Sequence, residues 1–355
     1  MTQRHVKSGG GGSSLVVEDV GKTFGHGADE HRVIEGLSLR VDPGEFVCVV
    51  GPSGAGKTTL LRCLSGLIRP TTGTIRYGDE LLTRPHADIA VVFQDYRGSL
   101  LPWMRVRDNV AFPLEGMGVR RAERNRRAEE CLDAVGLADV GDKYPWQLSG
   151  GMQQRVAIAR GLAYEAPVLL MDEPFGSVDA QSRFDLEDLT LSLRADLGIT
   201  VVLVTHDIDE AVYLGDRVVV IGGRPTTVVD NLRVDLGADR DQITTRADHR
   251  FTDLRTRVLT MIREAQGQAQ GQAHGQGQGQ GRGRSSAAGT AARSDPTPGK
   301  QTPGEPVPDG PASHGLAPDE PVSDEPAHDR SSGDTTGGDR RGDGPAREKT
   351  GRAVR

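Results

Sequence analysis

Apolar and polar positions along this chain fall into two kinds of run. Four short unbroken apolar stretches, Phe46-Val47-Cys48-Val49-Val50, Ile89-Ala90-Val91-Val92-Phe93, Val168-Leu169-Leu170-Met171 and Val201-Val202-Leu203-Val204, read as strands buried on both faces. Arg120 to Ala134 instead alternates Arg and Glu with Ala and Leu at helical spacing, and Thr58 to Leu64 has helical character too. Met152 to Arg160 predicts another helix, which should stop before Pro167. Ahead of the first buried run, Leu15 to Val20, Gly21 to Gly25 and Leu37 to Val41, with the turn Asp42-Pro43-Gly44, predict antiparallel strands. The fold class is therefore α/β, with an antiparallel β subdomain and an α-helical subdomain inserted over about residues 97–165. Trp103, Trp146 and several leucines are expected to give that insertion its apolar side, and its charged runs a solvated face.

The junction between the first buried run and the helix after it reads Gly51-Pro52-Ser53-Gly54-Ala55-Gly56-Lys57-Thr58-Thr59. This fits G-x-x-x-x-G-K-[ST] in its required setting, a strand handing over to a helix N-terminus, and makes the core that of a phosphate-loop NTPase. Gly51, Gly54 and Gly56 let successive backbone N–H groups turn onto phosphate oxygens, where the helix dipole adds partial positive charge. Lys57 supplies a point charge for the β- and γ-phosphates, and the Thr58 hydroxyl is a Mg²⁺ ligand.

A second glycine motif, Leu148-Ser149-Gly150-Gly151-Met152-Gln153-Gln154-Arg155, opens the helix that ends before Pro167. Ser149 is suited to cap it, leaving N–H groups of Gly150 and Gly151 for an anion. The strand Val168–Met171 delivers Asp172 and Glu173 at its carboxyl end: Asp172 is expected to hold Mg²⁺ and Glu173 to act as general base toward a water. Gln94 ends another buried run, where a neutral amide can touch both Mg²⁺ and that water. Thr205-His206 ends a third, so the imidazole can meet the γ-phosphate and orient the water and Glu173. Asp179 follows closely in Phe175-Gly176-Ser177-Val178-Asp179, placed to bridge to a second copy. Phe24 has two readings from the residues alone: an aromatic face for adenine, or part of a small hydrophobic cluster under the strands.

Composition changes the picture mainly at the ends. The chain has 355 residues, yet no Phe, Trp, Tyr, Ile, Met or Cys follows Ile262, and Gly/Gln repeats give way to Pro-, Asp- and Gly-rich text. Such a segment cannot bury enough apolar surface to offset ordering, so residues 267–355 are expected to form a disordered tail. Residues 1–14 read as a flexible leader without the apolar core of a signal peptide, leaving 15–266 as the folded part. No run of about 18 apolar residues occurs, so a membrane role must come through a partner. The three cysteines, Cys48, Cys63 and Cys131, are scattered in apolar or helical text, which fits buried thiols. A formal charge of −7 argues against a nucleic-acid partner.

Taken in order, Gly51–Thr59, Gln94, Leu148–Arg155, Asp172-Glu173, Asp179 and His206 resemble the ATP-binding-cassette ATPases, over about Leu15 to Glu264. The resemblance implies ATP and Mg²⁺ as ligands, and a head-to-tail dimer in which each ATP lies between the Gly51–Thr59 loop of one copy and Ser149–Gly151 of the other. It also implies that Phe24 stacks on adenine. Gln94-Asp95 with Leu100-Leu101-Pro102-Trp103, the Thr205–Ala211 segment and the short C-terminal piece are similar to the nitrate, sulfonate and taurine uptake group. A subunit of that group would sit at the cytoplasmic face of the cell membrane, receive a permease helix around Gln94–Trp103, and reach a solute-binding protein only indirectly. The rival readings are a cassette ATPase acting on ribosomes or DNA, whose relatives carry two cassettes or a long coiled coil; a phosphate-loop kinase, which leaves Leu148–Arg155 unexplained; and a non-catalytic regulator, which leaves Lys57, Asp172, Glu173 and His206 unexplained.

Overall fold

The computed structural model describes residues 12–277, so most of the expected leader and tail lie outside the described residues, as does the whole second unit of the chain, Ser286–Arg355. In chain order the elements are β1 (Leu15–Phe24), β2 (His31–Val41), β3 (Phe46–Val50), α1 (Lys57–Leu64), β4 (Thr72–Tyr77), β5 (Glu80–Leu81) and β6 (Ile89–Val92). There follow α2 (Tyr96–Ser99), α3 (Val106–Gly116), α4 (Arg121–Ala134), α5 (Gly150–Ala163), β7 (Val168–Asp172), α6 (Ala180–Leu197) and β8 (Thr200–Thr205). The described chain closes with α7 (Ile208–Leu214), β9 (Arg217–Gly222), β10 (Thr227–Arg233), α8 (Thr244–Ala247) and α9 (His249–Gly277).

Two sheets form. One is antiparallel, in the order β2-β1-β4-β5; the other runs β10-β9-β3-β8-β7-β6, parallel throughout except for the antiparallel edge strand β10. The four predicted apolar runs become adjacent parallel strands, and their period-2 alternation divides two cores. Val47, Val49, Leu170, Val202, Val204, Val219 and Ile221 face α1 and the antiparallel sheet, whereas Phe46, Cys48, Val50, Leu169, Met171, Val201, Leu203, Val218 and Val220 face the helices. Both faces are covered, so polar residues have no place within these strands until they end.

The insertion is helical, α2 to α5, but its tryptophans do not build its core. Trp103 is 73 % exposed and Trp146 69 %, with Trp146 stacked on Tyr144. Val106, Val110, Leu114, Ala128, Leu132, Leu148 and Val156 fill the interior instead, because aliphatic chains at helical spacing pack between α3, α4 and α5 without leaving a ring to accommodate. The charged run on α4 is laced with ion pairs, Arg126 to Glu123 and Glu130 and Arg127 to Glu123. Of the three free thiols, Cys48 and Cys63 are buried, but Cys131 is only half-buried. Helix α9 continues past the expected boundary at Gln266 to Gly277, the helix being anchored by buried Phe251, Val258, Ile262 and Ala265. Among the described residues no helix is long and apolar enough to cross a membrane.

Candidate active site

The parallel strands align their carboxyl ends, and the register places the chemistry side by side. Val50 pairs with Thr205, Asp172 with Val204 and Met171 with Val92, so the residues that follow β3, β8, β7 and β6 emerge from one edge. From β3 comes the loop Gly51–Gly56. A Cβ at Gly51 would lie 2.5 Å from the Ile221 carbonyl oxygen, and Gly56 holds φ +74°, so both positions need glycine for packing and for turning into α1. Pro52, Ser53, Gly54 and Ala55 complete the loop, and Lys57, Thr58 and Thr59 form the first turn of α1.

Lys57 is almost fully buried, and its ammonium donates to the carbonyls of Gly51 (3.0 Å) and Pro52 (3.1 Å) while lying 3.9 Å from Glu173 Oε1. Burial pulls its pKa down, opposed by the carboxylates of Glu173 and Asp172. The Thr58 hydroxyl donates to Asp172 Oδ1 at 3.3 Å. Asp172 is pushed up by burial, and the Thr58 hydrogen bond pulls the other way. Glu173 extends β7 by one backbone bond, its N–H donating to Val204 O at 2.7 Å, with φ at +43°. A left-handed glutamate costs about 1–3 kcal/mol and persists only where its surroundings over-determine it. Here Gln94 Nε2 donates to Glu173 Oε2 at 2.8 Å, and His206 Nδ1 lies 3.2 Å from the same oxygen.

Lys57, Thr58, Gln94, Asp172, Glu173 and His206 thus form one cluster. Through the Lys57 ammonium the cluster is tied to the loop carbonyls of Gly51 and Pro52. Ser149 caps α5, its hydroxyl accepting the Met152 N–H at 3.3 Å, so Gly150 and Gly151 open the helix as expected. Ser149, Gly151, Met152, Arg155 and Ser182 line a separate pocket of about 390 Å³. Asp179 caps α6 through the Ser182 N–H (3.0 Å) and hydroxyl (2.7 Å), which hold its carboxyl below the usual range. Phe24 is 43 % exposed and carries the Lys22 ammonium 5.0 Å from its ring centroid, so it does not pack under the strands. Two residues not predicted for the site bond to the loop that carries His206: Arg183 reaches Asp207 Oδ2 at 3.3 Å and Glu210 accepts from the Thr205 hydroxyl at 2.7 Å; in the sequence Arg183 has no signal, and Glu210 only its place in the Thr205–Ala211 segment.

The residues fit a nucleotide with a divalent cation. A buried lysine, a helix N-terminus and glycine-lined backbone suit a polyphosphate. A hydroxyl, one carboxylate and an amide suit a hard cation that takes its other oxygens from phosphate and water; no group of three His, Cys, Asp or Glu residues able to enclose a metal occurs among the described residues.

Comparison with known proteins agrees. The family model described as "ABC transporter" matches residues 34–176. The nitrate import ATP-binding protein NrtD of Synechocystis sp. is 43 % identical over 227 residues, covering 64 % of this chain and 85 % of that protein. The taurine import ATP-binding protein TauB of Chromobacterium violaceum is 48 % identical over 200 residues, 56 % of this chain and 76 % of that one. Among solved structures, a dimeric post-hydrolysis form of the ATP-binding cassette MJ0796 bound to ADP and Pi superposes with a TM-score of 0.56 at 32 % identity, covering 62 % of this chain and 99 % of that one. A phosphate loop, a second capped glycine motif and a strand-end Gln-Glu-His cluster, in a chain so similar to these proteins, place it in the ABC transporter family as an ATP-hydrolysing subunit.

Proposed function

We propose that this chain drives uptake of a small anion, of the nitrate, sulfonate or taurine kind, by working as a head-to-tail pair beneath a membrane permease at the cytoplasmic face. The observation that carries the pairing is geometric. Lys57, Gln94 and His206 converge on Glu173, while the Ser149–Gly151 helix start stands apart with its own pocket. Each copy then offers two half-sites, and the second copy's Ser149–Gly151 closes over the polyphosphate, with Asp179 at the seam and Phe24 stacking on adenine. The exposed Trp103 and neighbouring residues of the insertion suit a permease helix, which also answers why these rings stay outside the core.

Within each half-site the roles separate by environment. Lys57 exchanges its loop carbonyls for β- and γ-phosphate oxygens, and its buried charge acts where screening is weakest. Glu173 accepts a proton from the attacking water; Gln94 and His206 hold its carboxylate and orient that water. Thr58, Asp172 and Gln94 would hold Mg²⁺, which when bound neutralises charge on the phosphate oxygens.

Glu173→Gln tests the reading. The variant should bind ATP at parent affinity, lose turnover by about a hundredfold or more, and accumulate as an ATP-dependent dimer on gel filtration. A parent rate of hydrolysis would remove Glu173 as the base. Transport assays with the permease, using nitrate, an alkyl sulfonate and taurine in turn, name the solute.

A further inference from the structure

Glu173 is oriented in part by His206, yet the His206 side chain is 57 % exposed and sits on a short loop between β8 and α7. What holds that loop lies beneath it. The Thr205 hydroxyl donates to Glu210 Oε2 at 2.7 Å and accepts the Asp207 N–H at 3.0 Å. The Asp207 carboxylate in turn caps α7, accepting N–H groups from Asp209 (2.8 Å) and Glu210 (3.2 Å). Thr205, Asp207 and Glu210 are therefore tied into a ring of bonds, and the His206 side chain leaves it toward Glu173.

The ring has an outside anchor. From α6, Arg183 Nη1 reaches Asp207 Oδ2 at 3.3 Å, and Arg183 Nε lies 3.8 Å from Glu210 Oε1. Arg183 stands one turn into that helix, its own N–H donating to Asp179 O at 2.9 Å. Glu210 is 3 % exposed, a position where an acid is retained only with partners at hand. Its partners are the Thr205 hydroxyl and Arg183, and both lead to His206.

Building on the reading of Glu173 and His206 above, we propose that Arg183 and Glu210 are positioning residues for ATP hydrolysis, fixing His206 against Glu173 and tying its loop to the helix start that Asp179 caps. Neither touches the phosphate loop; both act through the placement of the imidazole. A shift of about 1 Å at such a contact can cost up to a hundredfold in rate with little change in substrate binding.

Steady-state hydrolysis by the full chain tests this. Glu210→Gln keeps a carbonyl to accept from Thr205 and should stay within about threefold of the parent kcat. Glu210→Leu and Arg183→Met should lower kcat about tenfold or more while the KM for ATP moves less than about twofold. In a His206→Ala background neither substitution should add a further loss, since both act through the missing ring. The His206 ring-proton resonance, identified by its disappearance in His206→Ala, should shift in Glu210→Leu and Arg183→Met but not in Glu210→Gln. Losses that add fully to that of His206→Ala, a KM that rises as kcat falls, or an unmoved His206 resonance would each overturn the proposal. Should Glu210→Leu fail to fold, Thr205→Val breaks the same link with almost no change of shape and carries the same expectations. A parent rate in both Glu173→Gln and His206→Ala would instead overturn the site itself, and the positioning role with it.

Discussion

Glu210 is a buried acid whose ionisation the fold disfavours, and that has a consequence for stability. Burial pushes its carboxyl up to about 8; the Thr205 hydroxyl and Arg183 pull down, and Asp207 and Glu187 push further up. The folded protein therefore holds a proton that the unfolded chain releases near the ordinary carboxylate range. Stability from this group is complete below that range and falls as pH rises toward about 8, by up to about 1.4 kcal/mol per pH unit. Glu210→Gln removes the titration. Urea unfolding across about pH 5 to 8 should then show the variant gaining on the parent as pH rises, and parallel curves would contradict the assignment. The same residue marks what the sequence could reveal. Gln94, Asp172, Glu173 and His206 are legible because each lies within two residues of the end of an unbroken apolar run, and parallel strands bring such ends together. Arg183 and Glu210 sit inside helices, where charge is ordinary, and only tertiary packing makes them unusual.

Among the elements, α8 is tied to α6 by a buried ion pair. Arg246 meets the fully buried Glu187 of α6 at 2.6 Å, and its guanidinium lies 4.9–5.8 Å from the ring centroids of Phe184, Tyr213 and Phe251. Gln242 Nε2 supplies a further donor to Glu187 at 3.0 Å, while Glu187 Oε1 has no hydrogen-bond partner among the described residues. Removing the cation leaves a carboxyl that burial already pushes up, with an oxygen unsatisfied. Arg246→Ala should cost about 3–5 kcal/mol by denaturant titration, and Arg246→Lys less, because the charge survives without the planar fork. A loss within about 0.5 kcal/mol would mean that water or rearrangement replaces the arginine. Element type was readable wherever apolar period was strong: β3 and β7 fall within a residue of their predicted ends. The C-terminal helix is legible over its packed part, where Phe251, Leu254, Val258, Ile262 and Ala265 fall at helical spacing, but not in its extent, because the glycines after Gln266 are weak in helix propensity. Trp103 and Trp146 show the converse, that apolar character does not decide burial.

For the whole molecule, the question is where the ATPase ends. Residues 267–355 lack the side chains that build a core, whereas α9 up to Ala265 is packed: Phe251, Val258 and Ile262 belong to the helix-side core, and a Cβ at Gly222 would already crowd the Ala265 methyl at 2.6 Å. The exposed side of α9 also ion-pairs with its surroundings, Arg255 to Asp209 at 2.6 Å and Arg257 to Asp230 at 3.3 Å. Two truncations separate these regions. Ending the chain after Gln266 removes no buried residue among the described ones, so ATP hydrolysis should remain within about twofold of the parent and the unfolding midpoint nearly unchanged. Ending it after Asp248 strips Phe251, Val258 and Ile262 from β9 and α7, uncovering apolar surface at about 2–5 kcal/mol for each large side chain lost. That shorter chain should be recovered mainly as aggregate. Equal solubility and activity for both truncations would mean that α9 is an appendage, and a collapse of the longer one would extend the folded unit into the tail.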